Sequence, residues 1–411
     1  MSKRQWRRLD IVERIERGEM TIAEGAQSLG LSRRQMQRVR KRVIREGHAG
    51  VVHGNTGRRP PHRIAKLARD RIVALRRDVY GGFNDQHFTE KLVEVEGLAV
   101  SRASVRRILR GAGIGAVRGR RAPKHRRRRD RRAQAGQMIL WDGSRHPWLE
   151  DRGPRLCLMA AIDDATGELL PGGHFVEQEC TVGYLRVLRD IVKTKGIPLA
   201  AYMDRHSTLK RNDNKWSLEE ELAGRQRPTQ VKRALDDLGV QVIYALSPQA
   251  KGRVERLWGT LQDRLVSELR LVGACTAEQA NRVLEKYCPG HNARFAISPT
   301  DAHQAWRPCP DPDTADALCA LQHIRLVANN NTVRIGRQVI DIPRKPRGRS
   351  TYAKTYVTVR HLLDGRYRVY FGGQAIAEAR GAPPTASPNE PRTIAGRKLQ
   401  HDRARRKRQE G

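Results

Sequence analysis

The chain has 411 residues, enough for roughly two to four domains. Lysine and arginine number 80 against 44 acidic residues, so the formal net charge is +36. This excess is larger than solubility requires. It indicates a polyanionic partner, most simply DNA or RNA, with an anionic membrane surface as the competing partner. No stretch approaches the roughly 18 apolar residues of a spanning helix, and the N-terminus lacks a secretory signal. We therefore expect an intracellular protein without a membrane partner.

Residues 1–50 have the pattern of a helix-turn-helix DNA-binding domain. Leu9–Arg17 is the first predicted helix, Thr21 caps a second, and Ser32 caps a third at Arg33–Glu46. Arginine and glutamine suit base edges and phosphates in a major groove, whereas the alternative is a solvated charged face. The candidate DNA-binding residues of this third helix are Arg33, Arg34, Gln37, Arg38, Arg40 and Lys41.

Residues 62–115 repeat the helical pattern after a glycine- and proline-containing linker at 51–61. The predicted helices cover 64–77, 85–96 and 102–111, and Ser101 caps the last of them. This pattern favours a second helix-turn-helix-like domain, although a helical bundle with a basic face has a similar sequence. Its candidate DNA contacts are Arg102, Arg106 and Arg107.

A basic linker follows at residues 116–135. Within it, residues 118–132 contain ten lysines and arginines and one aspartate, so the segment repels itself and is expected to be extended. A flexible linker and a linker that lies along phosphates are compatible interpretations of the same segment.

Residues 136–275 change to mixed strand and helix. The order of elements is βββαβαβα, which is that of an RNase H-like domain. The first strand is predicted to end on Asp142, and the fourth on Asp204. The predicted strands are 137–142, 155–163, 168–176, 198–204 and 240–245, and the predicted helices are 181–195, 231–238 and the one that contains Glu255.

The last helix of this domain places a carboxylate at the edge of an apolar stripe. Leucines 257, 261 and 265 recur at helical spacing, and Glu255 lies just off their face, on the side that also carries Lys251 and Gln262. Together with Asp142 and Asp204, Glu255 completes a set of three carboxylates on rigid elements. Hard oxygen ligands of this kind suit Mg²⁺, and two such ions can support in-line phosphoryl transfer.

The C-terminal part has three predicted segments. Residues 276–322 form a helical connector, residues 323–378 a small β-barrel, and residues 379–411 a disordered basic tail with almost no apolar content. The overall prediction is a multidomain chain with all-α helix-turn-helix domains, an α/β core and a small β-barrel.

Four sequence segments carry a resemblance to a known family. They are WDGS at 141–144, YMDRHS at 202–207, RPTQ at 227–230 and SPQAKGRVERLWGTLQDRL at 247–265, of which the last is the most specific. The chain resembles bacterial DDE transposases with a retroviral-integrase-type catalytic core, and the ISNCY-like insertion-sequence group in particular. The likeness covers roughly residues 1–375.

The resemblance implies that Asp142, Asp204 and Glu255 are the catalytic and metal-binding triad, with two Mg²⁺ ions for which Mn²⁺ can substitute. It implies metal-dependent cleavage and joining of double-stranded DNA at the terminal inverted repeats of an element and at a target site. The implied state is a homo-oligomer in the synaptic complex, in the cytoplasm and associated with the nucleoid. The interval between Asp204 and Glu255 is longer than is common in this family, which we assign to a polar insertion at 206–227; Asp213 is the alternative second acid.

Several residues near the triad have two interpretations. Lys251, Arg253 and Arg256 flank Glu255 and are candidate phosphate contacts or a solvated basic face. The acids at 163 and 164 are predicted to be turn acids before a Thr-Gly pair, and Trp258 is predicted to be a core residue.

Two further functional classes are weighed against the transposase. A DNA-binding regulator with a decayed catalytic core would use only residues 1–115, and the intact triad argues against it. An RNase H-type nuclease on RNA–DNA hybrids would not explain two helix-turn-helix units.

Overall fold

The computed structural model describes residues 1–385 except 54, 58–62, 120–128, 205–207, 212–215, 225, 246–251, 310 and 345–350. The chain divides into two compact units, residues 1–71 and residues 72 onward. The basic tail predicted at 379–411 lies mostly outside the described residues, as do Lys251 and Asp213.

The first unit contains three helices: α1 (Lys3–Glu16), α2 (Ile22–Leu29) and α3 (Arg33–Glu46). The predicted caps Thr21 and Ser32 are confirmed, and each forms a capping box with the residue three positions later. The first helix begins earlier than predicted because Ser2 forms a third capping box. Gly30 ends α2 at φ +61°, a left-handed conformation that glycine adopts without strain, and so turns the chain toward α3.

Three helices open the second part of the chain: α4 (Lys66–Asp78), α5 (Asp85–Glu94) and α6 (Arg102–Gly111). All three lie at or near the predicted positions, and Ser101 caps α6 as expected. Phe83, Phe88 and Leu109 are buried in their common core, and basic side chains of α6 are exposed on the other side of that helix.

The central domain follows the predicted order of elements, with one additional short helix. The strands are β1 (Ile139–His146), β2 (Leu156–Asp163), β3 (His174–Val176), β4 (Ala200–Met203) and β5 (Gln241–Tyr244). The helices are α7 (Thr181–Thr194), α8 (Leu218–Ala223), α9 (Gln230–Asp237) and α10 (Gly252–Leu271).

Two predicted strand bounds were wrong. The first strand does not end on Asp142 but continues to His146, because its polar second half pairs with the fully buried β2. The third strand does not begin at 168. Pro171 and the left-handed Gly172 (φ +83°) interrupt it, so Leu169 forms an isolated bridge with Ile162 of β2 and the strand itself covers His174–Val176.

The five strands form one sheet in the order β3-β2-β1-β4-β5, with β1 in the middle. β1 is antiparallel to β2 and parallel to β4, and β4 is parallel to β5. Alternate residues of β1 face opposite sides, as a pleated strand requires. Ile139 and Trp141 pack against α7 and α9, whereas Leu140 packs against α10.

The C-terminal part begins with α11 (Ala277–Phe295) and α12 (Pro312–Leu318). Its strands form a four-stranded sheet in the order β11-β10-β9-β6 and a hairpin of β7 with β8 over one apolar core. The last strand was not predicted from the sequence. The bounds are β6 (Leu321–Leu326), β7 (Thr332–Ile335), β8 (Gln338–Asp341), β9 (Tyr356–His361), β10 (Arg366–Phe371) and β11 (Gln374–Arg380).

None of the helices in the described part of the chain has the length and apolar character needed to cross a membrane.

Charged side chains join α5 to α10. Arg264, almost fully buried, donates two hydrogen bonds to the Glu90 carboxylate, at 2.6 and 3.0 Å. One turn further along α10, Glu268 accepts a hydrogen bond from Lys91 and lies 2.7 Å from His87 Nε2. Burial alone would raise the pKa of Glu90, but hydrogen bonds from Arg264 and Gln86 outweigh it and hold this pKa below its ordinary value. The group of helices α4, α5 and α6 is thereby held against α10, the helix that contains Glu255.

We predict that Arg264→Ala lowers the free energy of unfolding by about 3 kcal/mol, because it leaves the carboxylate of Glu90 poorly solvated and without its bidentate partner. Arg282→Ala, an exposed arginine on α11, is the matched control and should change stability by less than about 0.5 kcal/mol. Urea unfolding followed by circular dichroism measures both. Equal effects of the two substitutions would contradict the role given to this ion pair.

Candidate active site and nucleic-acid interface

Two aspartates lie level with each other on neighbouring strands at the middle of the sheet. In the parallel β1–β4 pair, Leu140 is opposite Tyr202. Asp142 and Asp204 each lie two residues further along, so the same register, continued beyond these pairs, would set them side by side on the face that Leu140 shares with α10. Both side chains are half-buried. The fourth strand, predicted to end on Asp204, ends one residue earlier at Met203, whereas Asp142 lies within its strand.

Helix α10 is fixed against this part of the sheet by polar contacts as well as by its apolar stripe. The indole nitrogen of Trp258 lies 3.4 Å from Oδ2 of Asp142, in position to donate a hydrogen bond. Gln262 Nε2 donates to Ser144 Oγ at 3.2 Å. Trp258 is otherwise buried in the core, as predicted. These contacts align α10 with β1 over one turn of the helix.

Glu255 lies in the first turn of α10, exposed, three residues before Trp258 and therefore on a neighbouring part of the same helix surface. Among the residues that the structure describes, no group of three or more histidines, cysteines or acids has the geometry of a metal site. The available donors are nevertheless carboxylate oxygens, which are the ligands that Mg²⁺ prefers. Asp142 and Asp204 fit such an ion by their chemistry and their shared position.

The electrostatic field at the centre of the sheet is negative although the chain as a whole is strongly positive. Burial raises the pKa of Tyr184 well above its ordinary value, and the carboxylates of Glu179, Asp142 and Asp204 raise it further. Burial likewise raises the pKa of the Cys157 thiol to about 12, with Glu179 and Asp142 adding to the effect. A negative field at this position favours a divalent cation.

Glu179 is a residue of this region that the sequence did not reveal. It accepts a hydrogen bond of 2.7 Å from the hydroxyl of Tyr184, and a Cβ on Gly143 would lie 3.0 Å from its Oε2. It therefore lies next to the strand residue that follows Asp142. The available sequence signal was its place directly before Cys180, the residue that caps α7.

The predicted DNA-binding residues of α3 fall into two groups. Arg40 is half-buried and paired with Glu16 of α1, which raises the pKa of its guanidinium through that hydrogen bond. The others form one exposed stripe, opposite the buried Met36 and Val39: Arg33, Arg34, Gln37, Arg38 and Lys41. On α6, all three predicted contacts are exposed: Arg102, Arg106 and Arg107.

The two described arginines beside Glu255 differ in their surroundings. Arg256 is exposed. Arg253 is largely buried and binds the carboxylate of Asp164, whose side chain is inaccessible to solvent. The predicted turn role of Asp163 is confirmed, because it accepts hydrogen bonds from the backbone and hydroxyl of Thr166. Asp164 has a different role and binds arginines from two segments of the chain.

Comparison with known sequences identifies the family. The y4bF protein of Sinorhizobium fredii (strain NBRC 101917 / NGR234), which is named as a transposase, is 36% identical over 379 residues, 92% of this chain and 80% of its own. The transposase for insertion sequence IS1202 of Streptococcus pneumoniae is 30% identical over 392 residues, 86% of this chain and 82% of its own. The chain belongs to the family of insertion-sequence transposases. No family model matches this transposase.

Among solved structures, the transposase is similar to two retroviral integrases. The HTLV-2 integrase catalytic core domain in complex with magnesium has a TM-score of 0.26 at 15% identity, covering 37% of this chain and 87% of that one. The simian T-cell lymphotropic virus intasome in complex with PP2A regulatory subunit B56 gamma has a TM-score of 0.32 at 13% identity, covering 76% of this chain and 100% of that one.

We predict that Gly143→Ala destabilises the transposase by about 1–3 kcal/mol, because the new Cβ would lie 3.0 Å from Glu179 Oε2 and 3.1 Å from Cys157 Sγ. Gly259→Ala is the matched control, since nothing lies within 4 Å of a Cβ there and alanine favours the helix by about 1 kcal/mol. Thermal unfolding should move in opposite directions for the two variants. An unchanged melting temperature for Gly143→Ala would show that this part of β1 accommodates the added Cβ, and it would contradict the prediction.

Proposed function

We propose that this transposase cuts the ends of its element and joins them to target DNA through a DDE triad of Asp142, Asp204 and Glu255. The central domain is then an RNase H-like, integrase-type core. The observation that supports this most directly is the β1–β4 register, because two half-buried aspartates each follow its last pair by two residues, and the first of them contacts the helix that contains Glu255.

The protein's own groups prepare this site before any substrate binds. Trp258 orients the carboxylate of Asp142, and the contact of Gln262 with Ser144 fixes the position of α10 relative to β1. Glu255 is thus presented from a helix and not from a loop. When bound, two Mg²⁺ ions, or Mn²⁺ in their place, would activate the attacking oxygen and stabilise the leaving one.

The exposed basic helices support a role in binding double-stranded DNA. The stripe of α3 has the arginine and glutamine side chains that read base edges, so we assign it to the terminal repeats together with the exposed arginines of α6. These two helix-turn-helix units would contact neighbouring segments of the element end. Arg40, which is paired with Glu16, would stabilise α3 and approach phosphates from its edge.

Joining two ends requires that subunits meet on DNA. We propose a homo-oligomeric synaptic complex, assembled when DNA neutralises the mutual repulsion of strongly positive chains. The sheet and hairpin of β6–β11, which the sequence predicts as a small β-barrel, would bridge a neighbouring subunit and DNA. A position in the cytoplasm, at the nucleoid, follows from a DNA substrate.

We predict that Glu255→Gln abolishes cleavage and joining of labelled end DNA in Mg²⁺ while DNA binding persists, because the amide keeps the shape but loses the anionic ligand. Asp142→Asn should behave in the same way. Glu285→Gln, an exposed acid on α11, is the matched control and should remain active.

Three results would decide the triad. Cleavage by Glu255→Gln at the wild-type rate would remove this residue from the triad. An active Asp204→Asn with an inactive Asp213→Asn would move the second acid to Asp213. Binding without cleavage by the unmodified chain, with either metal, would favour a regulator with a decayed core.

We predict that Arg34→Ala and Arg38→Ala each reduce discrimination between end DNA and unrelated DNA by about 1–3 kcal/mol, the range for one well-made contact to a base edge. Arg4→Ala, an exposed arginine at the start of α1, removes the same charge and should weaken binding to both DNAs alike. Competition titrations at one salt concentration measure the ratio. If Arg34→Ala and Arg4→Ala give the same ratio, α3 is not the reading helix.

A further inference from the structure

The RPTQ segment at 227–230 is one of the four that carry the family resemblance, yet it contributes no acid to the proposed triad. It lies between the polar insertion that follows Asp204 and helix α9. Thr229 caps that helix by accepting a hydrogen bond from the backbone nitrogen of Lys232 at 3.2 Å. Other groups of the segment bind two further parts of the chain, the insertion and the C-terminal sheet.

The side chain of Gln230 pairs with the edge of the C-terminal sheet. β6 is the last strand in the order β11-β10-β9-β6, so one side of its backbone needs partners other than a neighbouring strand of that sheet. The Oε1 of Gln230 accepts a hydrogen bond from the backbone nitrogen of Gln322 at 2.9 Å, and its Nε2 donates to the carbonyl oxygen of the same residue at 2.7 Å. The amide thus offers Gln322 the acceptor and the donor that an antiparallel strand would offer.

The next turn of α9 binds the chain just before β6. The guanidinium of Arg233 donates to the carbonyl oxygens of Leu318, at 3.1 Å, and of Ala320. It also forms an ion pair with Asp237 at 2.9 Å, and its side chain is only 12% exposed. Burial lowers the pKa of Arg233, and the hydrogen bond to Asp237 opposes this shift. Helix α9 therefore holds the start of the C-terminal sheet from two neighbouring positions on its surface.

The start of the same segment holds the insertion. The hydroxyl of Thr229 donates to the carbonyl oxygen of Leu209 at 3.2 Å. The backbone nitrogen of Arg227 donates to Oε1 of Glu220, the buried acid of α8, at 2.9 Å. Leu209 is fully buried in the same core as the apolar side of α9, and it lies five residues after Asp204. The insertion is therefore fastened to α9 a short way along the chain from the second acid of the proposed triad.

A glutamine that binds a strand edge has a purely structural explanation, because an open edge has to be covered in any β domain. Two observations favour a role in positioning. Gln230 and Thr229 are adjacent, so the sheet contact and the insertion contact lie on successive residues at the start of one helix. That helix has eight residues and is held in the core by Val231, Ala234 and Leu235, all fully buried, so a displacement at one contact moves the other.

We infer that Gln230 is a positioning residue for Asp204: it joins the C-terminal sheet, through α9 and Thr229, to the insertion that follows this acid. The inference rests on the proposed function, because it takes Asp204 as the second acid of the triad. The C-terminal sheet then does more than contact DNA or a neighbouring subunit. Its attachment to α9 holds the insertion, and with it the end of β4, in the arrangement that the triad requires.

The test uses the full chain and two readouts. Hydrogen–deuterium exchange, measured without DNA or metal, follows the amide of Gln322 and the peptide that covers residues 208–211. Gln230→Ala should raise the exchange rate of Gln322 by about tenfold, because its amide loses its acceptor, and should raise exchange at 208–211 as well. In cleavage of labelled end DNA with Mg²⁺, the same variant should lower kcat by about tenfold and leave KM for DNA within about twofold.

Two further variants separate positioning from stability. Gln241→Ala removes an exposed glutamine from β5, in the same domain, and should change neither readout. Thr229→Val has nearly the same shape but loses the bond to Leu209, so it should lower kcat and raise exchange at 208–211 while the amide of Gln322 stays protected. Urea unfolding establishes that each variant is folded under the assay conditions.

Each outcome supports or overturns the inference. An unchanged kcat for Gln230→Ala, or unchanged exchange at 208–211, would show that Gln230 only covers the strand edge. A loss of activity that lies entirely in KM would equally overturn positioning. An active Asp204→Asn would overturn the proposed triad instead, and the exchange measurements, which need no catalysis, would still decide whether Gln230 joins the sheet to the insertion.

Discussion

The parallel pairing of β1 with β4 is the constraint on which the rest of the catalytic domain depends. It brings together two strands that are separated in sequence by two other strands and a helix, and its register, continued by two residues, would make Asp142 and Asp204 neighbours on one face. A shift by one residue would turn one of them to the opposite face, toward α7. Such a shift is opposed on both faces of the sheet. Ile139 is fully buried on the side of α7 and α9, and Leu140 is fully buried on the side of α10.

Carboxylates and arginines are concentrated in different parts of the structure. At the middle of the sheet, burial raises the pKa of Tyr184, and the carboxylates of Glu179, Asp142 and Asp204 raise it further. Around them, buried or half-buried acids bind cations: Asp164 binds Arg129 and Arg253, and Glu90 binds Arg264. Pairing matters for these buried cations because an unpaired buried charge is expensive.

The sequence was sufficient where a local signal determined the structure. The caps Thr21, Ser32 and Ser101 marked helix starts that the structure confirms, because a capping side chain acts on the backbone within its own turn. Alternating and helical apolar patterns were sufficient for the order of the central domain. The family was recognised from four short segments, and the relatives confirm it.

Where the structure depends on distant partners, the sequence was not sufficient. The polar second half of β1 is a strand only because β2 pairs with it, and the alanine-rich β11 forms only on the edge of β10. The arginines around Asp164 could not be assigned either, because the acid is buried by segments far away in the chain. Asp163 and Asp164 are adjacent aspartates, and no local sequence signal distinguishes the one that forms the turn from the one that binds arginines.

The division of the chain into two units bears on how DNA recognition and chemistry are shared. Residues 1–71 form one unit, with the basic stripe of α3 on its surface, whereas α5 and α6 belong to the unit that contains the sheet. The ion pairs of Glu90 and Glu268 join α5 to α10 over consecutive turns, and the exposed arginines of α6 belong to the same compact unit as Glu255. Under the proposed function, DNA held by the arginines of α6 would therefore be set at a distance from Glu255 that the contacts between α5 and α10 determine. The stripe of α3 would add recognition from the first unit, while the position of α6 relative to α10 would determine where along the bound strand the proposed triad acts.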